Sequence, residues 1–237
     1  MFFPSPLIPG TLIRRYQRFL ADVRLDNGEI VVAHCPNTGS MMGCKEPGSR
    51  VWLSESDNPT RKHRYTWELV EALPDVWVGL HTGRSNGLVE EAILSGTIAE
   101  LTGYENIRRE VKFGQERSRV DLLLSHAEKP DCYVEVKNVT AVVDNGVAIF
   151  PDAVSDRGAK HLRELMVVVA SGQRAALVFC VQREDVTEVR PADEIDPVYG
   201  RTLRDAIAAG VEVLAYGARV SSEGISITKG LPVVCSN

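Results

Sequence analysis

Long apolar runs are missing from this 237-residue chain. None approaches the run of about 18 residues that a membrane-spanning helix requires, so no membrane partner is expected. The opening Met1-Phe2-Phe3-Pro4-Ser5-Pro6 lacks a basic segment followed by a long apolar core, and does not read as a secretory signal. No CxxC pair occurs, and the five cysteines (Cys35, Cys44, Cys132, Cys180 and Cys235) are odd in number. A disulfide framework or a zinc ribbon is therefore not expected, and the setting reads as reduced and cytoplasmic. A Gly-rich phosphate loop is also missing, which leaves little support for a hydrolase of small phosphoesters. There is no helix-turn-helix carrying base-reading side chains, so any DNA binding should be non-specific and salt-sensitive. Repeats and low-complexity stretches are absent.

Net charge is small, −5, and uneven. Residues 1–80 carry nine Lys/Arg and nine Asp/Glu, leaving 18 basic against 23 acidic residues in 81–237. Such a balance argues against a protein that coats DNA, though local basic clusters matter more to a phosphate backbone than the total does. A composition 44% hydrophobic and 25% charged is that of an ordinary globular protein. The length accommodates one large domain or two small ones.

Two domains are expected, 1–82 and 83–237, divided at the loop Thr82-Gly-Arg-Ser-Asn-Gly87. In the first, residues 11–25 read as one long, bent strand, and Asp26-Asn27-Gly28 as a hairpin turn. Glu29–Cys35, Arg50–Ser54, Tyr65–Leu73 and Val76–Leu80 read as further short strands. Five antiparallel strands in so short a span, the first one long, suit an all-β OB-like barrel. Barrels of this kind bind single strands through basic grooves and stacking aromatics. The candidate contacts are Arg14, Arg15 and Arg18 with Tyr16, and Arg61, Lys62 and Arg64 with His63 and Tyr65.

From residue 88 onward helix and strand alternate, which predicts an α/β/α domain with a mixed sheet. Leu88–Thr102 reads as a helix capped by Asn86 and stopped at Gly103. Residues 107–124 read as a basic strand pair with a turn at Gly114. Asn138–Phe150 reads as a hairpin around Asp144-Asn145-Gly146, and 157–170 as a helix capped by Ser155 or Asp156. Ala175–Gln182 and Val211–Tyr216 read as strands buried on both faces, with a helix over 197–209 between them.

The chemistry concentrates in Cys132-Tyr-Val-Glu-Val-Lys-Asn138. Period-two alternation puts Glu135 and Lys137 on one strand face and Val134 and Val136 on the other. Separated from Glu135 by thirteen residues, Asp121 interrupts the apolar run Arg119-Val-Asp-Leu-Leu-Leu124. If the two strands pair, both carboxylates converge beside a lysine. Hard oxygen ligands of this kind suit Mg²⁺ or Mn²⁺ and activation of a water for attack on phosphate.

The spacing Asp-x13-Glu-x-Lys is similar to that of the PD-(D/E)xK nucleases, although no Pro precedes Asp121. With Ser118-Arg-Val-Asp121, Pro130-Asp-Cys-Tyr-Val-Glu-Val-Lys137, Phe150-Pro-Asp-Ala153 and Arg157-Gly-Ala-Lys-His-Leu-Arg-Glu-Leu165, the whole chain resembles the sugar fermentation stimulation protein (SfsA) family. The resemblance implies an OB barrel joined to a nuclease-like domain and DNA as the partner. It also implies a link to sugar utilisation, specifically maltose. On this reading Asp121, Glu135 and Lys137 are catalytic, and Asp121 and Glu135 hold the metal. The carbonyl of Val136 and the helix carboxylate Glu91 (Glu90 in reserve) complete the shell. Arg117, Arg119, Arg157, Lys160 and His161 join the barrel's basic residues in contacting nucleic acid. The alternative is a non-catalytic, non-specific DNA-binding regulator of sugar metabolism. Nothing in the sequence sets the oligomeric state.

Overall fold

The computed structural model describes residues 1–114, 118–143 and 146–235. Its first half is a closed barrel. Strands β1 (Ile8–Tyr16), β2 (Leu20–Leu25), β3 (Ile30–His34), β4 (Arg50–Glu55) and β5 (Tyr65–Leu73) pair in the order β3-β2-β1-β4-β5. A short parallel pairing of β3 with β5, at Ala33↔Tyr65 and His34↔Thr66, closes the ring. Strand β6 (Val76–Gly79) extends β5 beyond it. Alternate residues such as Leu12, Val23, Val31, Val51 and Leu53 fill the interior around Trp67. Gly10 lets β1 cross β2 closely: a Cβ there would lie 2.7 Å from Val23 Cγ1 and 2.8 Å from the Arg24 carbonyl oxygen.

The expected long strand over residues 11–25 is instead a hairpin. Gln17 and Arg18 take left-handed conformations, φ 49° and 65°, and fold β2 back so that Tyr16 faces Leu20. A turn with two positive φ values usually carries Gly, Asn or Asp; here Gln and Arg occupy it, and neither is a turn signal.

The second half begins with α1 (Ser85–Leu94) and a 3₁₀ turn at Ala99–Leu101. Strands β7 (Asn106–Phe113), β8 (Ser118–His126) and β9 (Lys129–Val139) follow, then the short pair β10 (Val142–Val143) and β11 (Val147–Phe150). After α2 (Asp156–Ala170) come β12 (Arg174–Val181), β13 (Glu188–Pro191), α3 (Pro197–Ala208), β14 (Glu212–Val220) and β15 (Ile225–Leu231). The main sheet is mixed, in the order β15-β14-β12-β9-β8-β7, with β12 parallel to both β9 and β14. A small sheet, β10-β11-β13, sits apart.

Alternation along β12 shows why the main sheet is covered twice. Ala176, Val178 and Cys180 pack with Leu88, Val89, Ala92 and Ile93 of α1. Ala175, Leu177, Phe179 and Val181 pack with Leu162 and Leu165 of α2 and Leu203 and Ala206 of α3. Helix α1 is shorter than its apolar pattern predicted. Gly96, at φ +78°, takes the left-handed position that ends it, and Asn86 lies inside the first turn rather than capping it. The turn signal Asp144-Asn145 lies outside the described residues, while Gly146 next to it has φ +79°.

Polar clasps join the halves. Arg84 grips the buried Glu68 through Nε–Oε2 and Nη2–Oε1, both 2.8 Å. The Gly79 amide donates to the Gln182 carbonyl at 2.9 Å. Asp152 accepts from Ser40 Oγ at 3.1 Å and from the Met41 amide at 3.2 Å. Among the described residues no helix is long and apolar enough to cross a membrane.

Candidate active site

Strands β8 and β9 form a ladder through Leu122↔Val134, Leu123↔Tyr133 and Leu124↔Cys132. Toward Asp121 the ladder ends, β8 continuing against β7 and β9 against β12. The separation frees the Val136 amide, which donates to Asp121 Oδ2 at 2.7 Å instead of to a β8 carbonyl. Asn86, from the first turn of α1, donates to Asp121 Oδ1 at 2.9 Å. Each oxygen of Asp121 therefore accepts one hydrogen bond and retains a lone pair.

Glu135 is 3% exposed. Its Oε1 receives Lys137 Nζ at 2.6 Å and Nδ1 of His161 from α2. Its Oε2 is buried and, among the described residues, has no hydrogen-bond partner. Burial by itself would raise the Glu135 carboxyl, but the His161 hydrogen bond and the Lys137 charge hold it below the usual carboxylate range. Asp121 moves the other way: burial, and after it the neighbouring Glu135 charge, raise its pKa. Of the two neighbouring carboxylates, Glu135 thus has its charge compensated by His161 and Lys137, while burial leaves that of Asp121 less stabilised.

The helix carboxylates do not reach this cluster. Glu91 is half exposed and takes the Met1 ammonium at 2.9 Å. Glu90 pairs with Arg109. Phase explains both. Five residues beyond Asn86, at 3.6 residues per turn, Glu91 has rotated about 140° away from the face that meets Asp121. The residue α1 contributes is Asn86, which the sequence presented as a cap. Among the described residues no three His, Cys, Asp or Glu gather as a metal cluster, so Asp121 and Glu135 are the side-chain oxygens on offer.

His161 is likewise not at the surface. It is 5% exposed and both ring nitrogens are engaged, Nδ1 with Glu135 and Nε2 with Arg157 Nε at 3.3 Å. It lies within the site and presents no nitrogen to a nucleic-acid strand. Arg157 is exposed at the start of α2, and Lys160 is half buried. Arg119 is exposed on β8, across from Lys112 and two residues from Asp121. Arg117 lies outside the described residues.

The barrel's basic residues divide by occupation. Arg14 is 67% exposed, with Nε 2.7 Å from Asp22 Oδ2 and its guanidinium over the Tyr16 ring. Arg15 points inward along the loop: its Nη2 donates to the carbonyls of Arg18, Asn37 and Gly39. Arg18 Nε donates to the Thr38 carbonyl at 3.1 Å. Arg61 donates to Thr66 Oγ1, Arg64 pairs with Glu55, and Lys62 is exposed. His34, which faces Leu20 at the hairpin, has its pKa lowered by burial and then by Arg61 and His63, so the two clusters share one end of the barrel. Loop 37–41 at that end is the segment Asp152 holds. The sequence did not single out Asp152 for this clasp, although it stands in the quoted Phe150-Pro-Asp-Ala153 segment.

A closed five-stranded OB barrel followed by a mixed sheet with Asp121, Glu135 and Lys137 at its parting strands defines an OB domain fused to a restriction-endonuclease-like domain. The model described as "SfsA N-terminal OB domain" matches residues 13–80. The one described as "Sugar fermentation stimulation protein RE domain" matches residues 83–224. The chain belongs to the sugar fermentation stimulation protein (SfsA) family. It is 63% identical over 233 residues to a sugar fermentation stimulation protein homolog of Thioalkalivibrio sulfidiphilus, covering 98% of each chain. It is 60% identical over 237 residues to the homolog of Alkalilimnicola ehrlichii, covering 99% of this chain and 100% of the relative. The solved structure of Pyrococcus furiosus SfsA in complex with Ca²⁺ superposes with a TM-score of 0.88 at 29% identity, covering 99% of this chain and 98% of that one.

Proposed function

We propose that this protein is a nuclease that cleaves phosphodiester bonds of DNA with a divalent cation, Mg²⁺ or Mn²⁺, held by Asp121 and Glu135. The observation that carries the reading is the buried Oε2 of Glu135, without a partner among the described residues, in a site where Asp121 is pushed up by burial and by the Glu135 charge. A buried carboxylate oxygen with no donor is costly, and a hard cation is the partner its chemistry suits. Mg²⁺ needs only one or two carboxylates, with water filling its other positions, so two side chains suffice. When bound, such a cation supplies Lewis-acid stabilisation and acidifies a water. Asp121 stays oriented by Asn86 and the Val136 amide. Lys137, whose side chain is 14% exposed, presents a positive charge where the phosphate's negative charge increases. The Pyrococcus furiosus relative is described in complex with Ca²⁺, which supports divalent-cation binding by this fold.

The second reading is a DNA-binding regulator of sugar metabolism without catalysis. It is favoured by the two cationic or polar donors on Glu135 Oε1, which already offset much of its charge. One experiment separates the two. Mg²⁺ and Mn²⁺ are titrated calorimetrically into metal-free wild type and Asp121→Asn, and both proteins are assayed on labelled DNA beside Glu135→Ala. The nuclease reading expects metal binding and cleavage in wild type, both lost in Asp121→Asn, and cleavage lost in Glu135→Ala with DNA binding retained. No heat of binding in wild type, or undiminished cleavage by Glu135→Ala, defeats it.

A further inference from the structure

The segment that begins α2 does more than the sequence suggested. Arg157 and His161 stand one helical turn apart, i and i+4, below the Ser155 cap that accepts from the Gly158 amide at 3.0 Å. Arg157 Nε lies 3.3 Å from His161 Nε2. A guanidinium is charged at all accessible pH values and only donates. His161 Nε2 must then be the acceptor. In the neutral ring the remaining proton sits on Nδ1, and Nδ1 is the atom against Glu135 Oε1. The opposite tautomer would set two N–H groups against each other at the Arg157 contact. Lys137 Nζ, 3.4 Å from Nδ1, cannot donate to a protonated nitrogen, and its shorter bond to Glu135 Oε1 at 2.6 Å takes the proton instead.

Two donors thus converge on one oxygen of Glu135, and among the described residues none reaches the other. A carboxylate pinned through one oxygen cannot turn about its terminal torsion without losing both bonds. We infer that Arg157 and His161 form a positioning relay, Arg157 Nε–H to His161 Nε2 and His161 Nδ1–H to Glu135 Oε1, which fixes Glu135 so that Oε2 is the oxygen offered to a divalent cation. The inference rests on the metal-site reading above. It assigns His161 to orienting a ligand rather than to contacting a phosphate, and it gives the exposed Arg157 a task inside the site. Partners one shell removed from a metal commonly set its affinity in this way, and their loss costs about 10–100-fold.

The test has two arms. Nitrogen-15 spectra of selectively labelled, metal-free protein report which His161 nitrogen carries the proton. The expected result is protonation at Nδ1 in wild type and a shift of the population toward Nε2 in Arg157→Leu, a surface substitution. A proton on Nε2 in wild type, or an unchanged tautomer in Arg157→Leu, overturns the relay whether or not metal binds. In the second arm Mn²⁺ is titrated into His161→Asn and His161→Leu, with far-UV circular dichroism verifying the fold. Asn keeps a donor close to the Nδ1 position and should hold wild-type affinity within a few-fold; Leu should weaken it about 10–100-fold. Equal affinity of His161→Leu and wild type overturns the positioning role. Absence of Mn²⁺ binding in wild type defeats the nuclease reading and with it the offer of Oε2 to a cation, while the spectra still decide the hydrogen-bond pattern.

Discussion

Asp121 and Glu135 are neighbouring carboxylates whose pKa values are displaced in opposite directions. Burial and the Glu135 charge raise that of Asp121, while Glu135, gripped by His161 and Lys137, stays low. The two groups therefore act oppositely on stability. The folded pKa of Asp121 exceeds its unfolded value, near 3.9, so its contribution is full below that pH and is lost as pH rises through the folded value. That of Glu135 is present above its ordinary value and is lost on acidification. Replacing Asp121 by Asn removes the buried charge while keeping an oxygen for the Val136 amide, and the Asn86 amide can turn to meet the other atom. Without metal, Asp121→Asn should melt at or above the wild-type temperature at pH 8, with the gap closing toward pH 4. Saturating Mg²⁺ should reverse the order at pH 8, because only wild type gains binding energy; at 100 times Kd the gain is about 2.7 kcal/mol. Scanning calorimetry at the two pH values, with and without Mg²⁺, reads all four cases. A variant less stable than wild type throughout would mean that Asp121 is a structural anchor.

At the scale of elements, the site depends on how α1 is set against both domains. Arg84 immediately precedes α1 and makes a two-pronged ion pair with Glu68 of β5, which also accepts from Ser54 Oγ at 2.7 Å. Glu68 is 2% exposed, so Arg84→Leu would leave a buried carboxylate without its cation, at a cost of about 3–5 kcal/mol. The same substitution should blunt metal affinity, since the turn carrying Asn86 begins one residue later. Urea denaturation checks the first effect and metal titration the second; a loss under 1 kcal/mol would show that the pair is dispensable. This coupling was invisible in the sequence, because neither Arg84 nor Glu68 belongs to a motif. What could be read was what depends on period two. Strand alternation and the Asp-x13-Glu spacing predict that Asp121, Glu135 and Lys137 meet, and the β8–β9 ladder, which ends at Leu122↔Val134, leaves them close together where the strands part. What could not be read was phase and turn chemistry. Apolar residues continue past Leu94, so nothing but Gly96 marks the end of α1, and Glu91, a ligand candidate from its place among apolar positions, lies on a different face of α1 from Asn86. The hairpin at Gln17-Arg18 lacked a turn residue. His161 lay on the polar side of its helix pattern and gave no sign that a carboxylate from β9 would cover it.

For the molecule as a whole, the proposed function asks how a chain of net charge −5 would hold a polyanion. The barrel end answers in part by concentrating Arg14, Arg61, Lys62 and Arg64 near the loop that Asp152 clasps to the second domain. Not all of its arginines are available. Arg15 and Arg18 are spent on loop carbonyls, and mutating either would disturb that loop along with any contact to DNA. Arg14 and Lys62 are the better probes, since both are exposed and neither holds a backbone segment in place. If they touch phosphates, each releases counterions on binding, and the slope of log K against log salt falls by about 0.7 per contact for a single strand and about 0.9 for a duplex. The double variant Arg14→Gln/Lys62→Gln should therefore lose about 1.4 in slope on a labelled single-stranded oligonucleotide, measured by fluorescence anisotropy across a salt series. Its thermal stability should match wild type, whereas Arg15→Gln should fall below it. A double variant that keeps the wild-type slope would take this end of the barrel out of the binding path and leave Arg119, Arg157 and Lys160 around the carboxylate site as the surface that meets the strand.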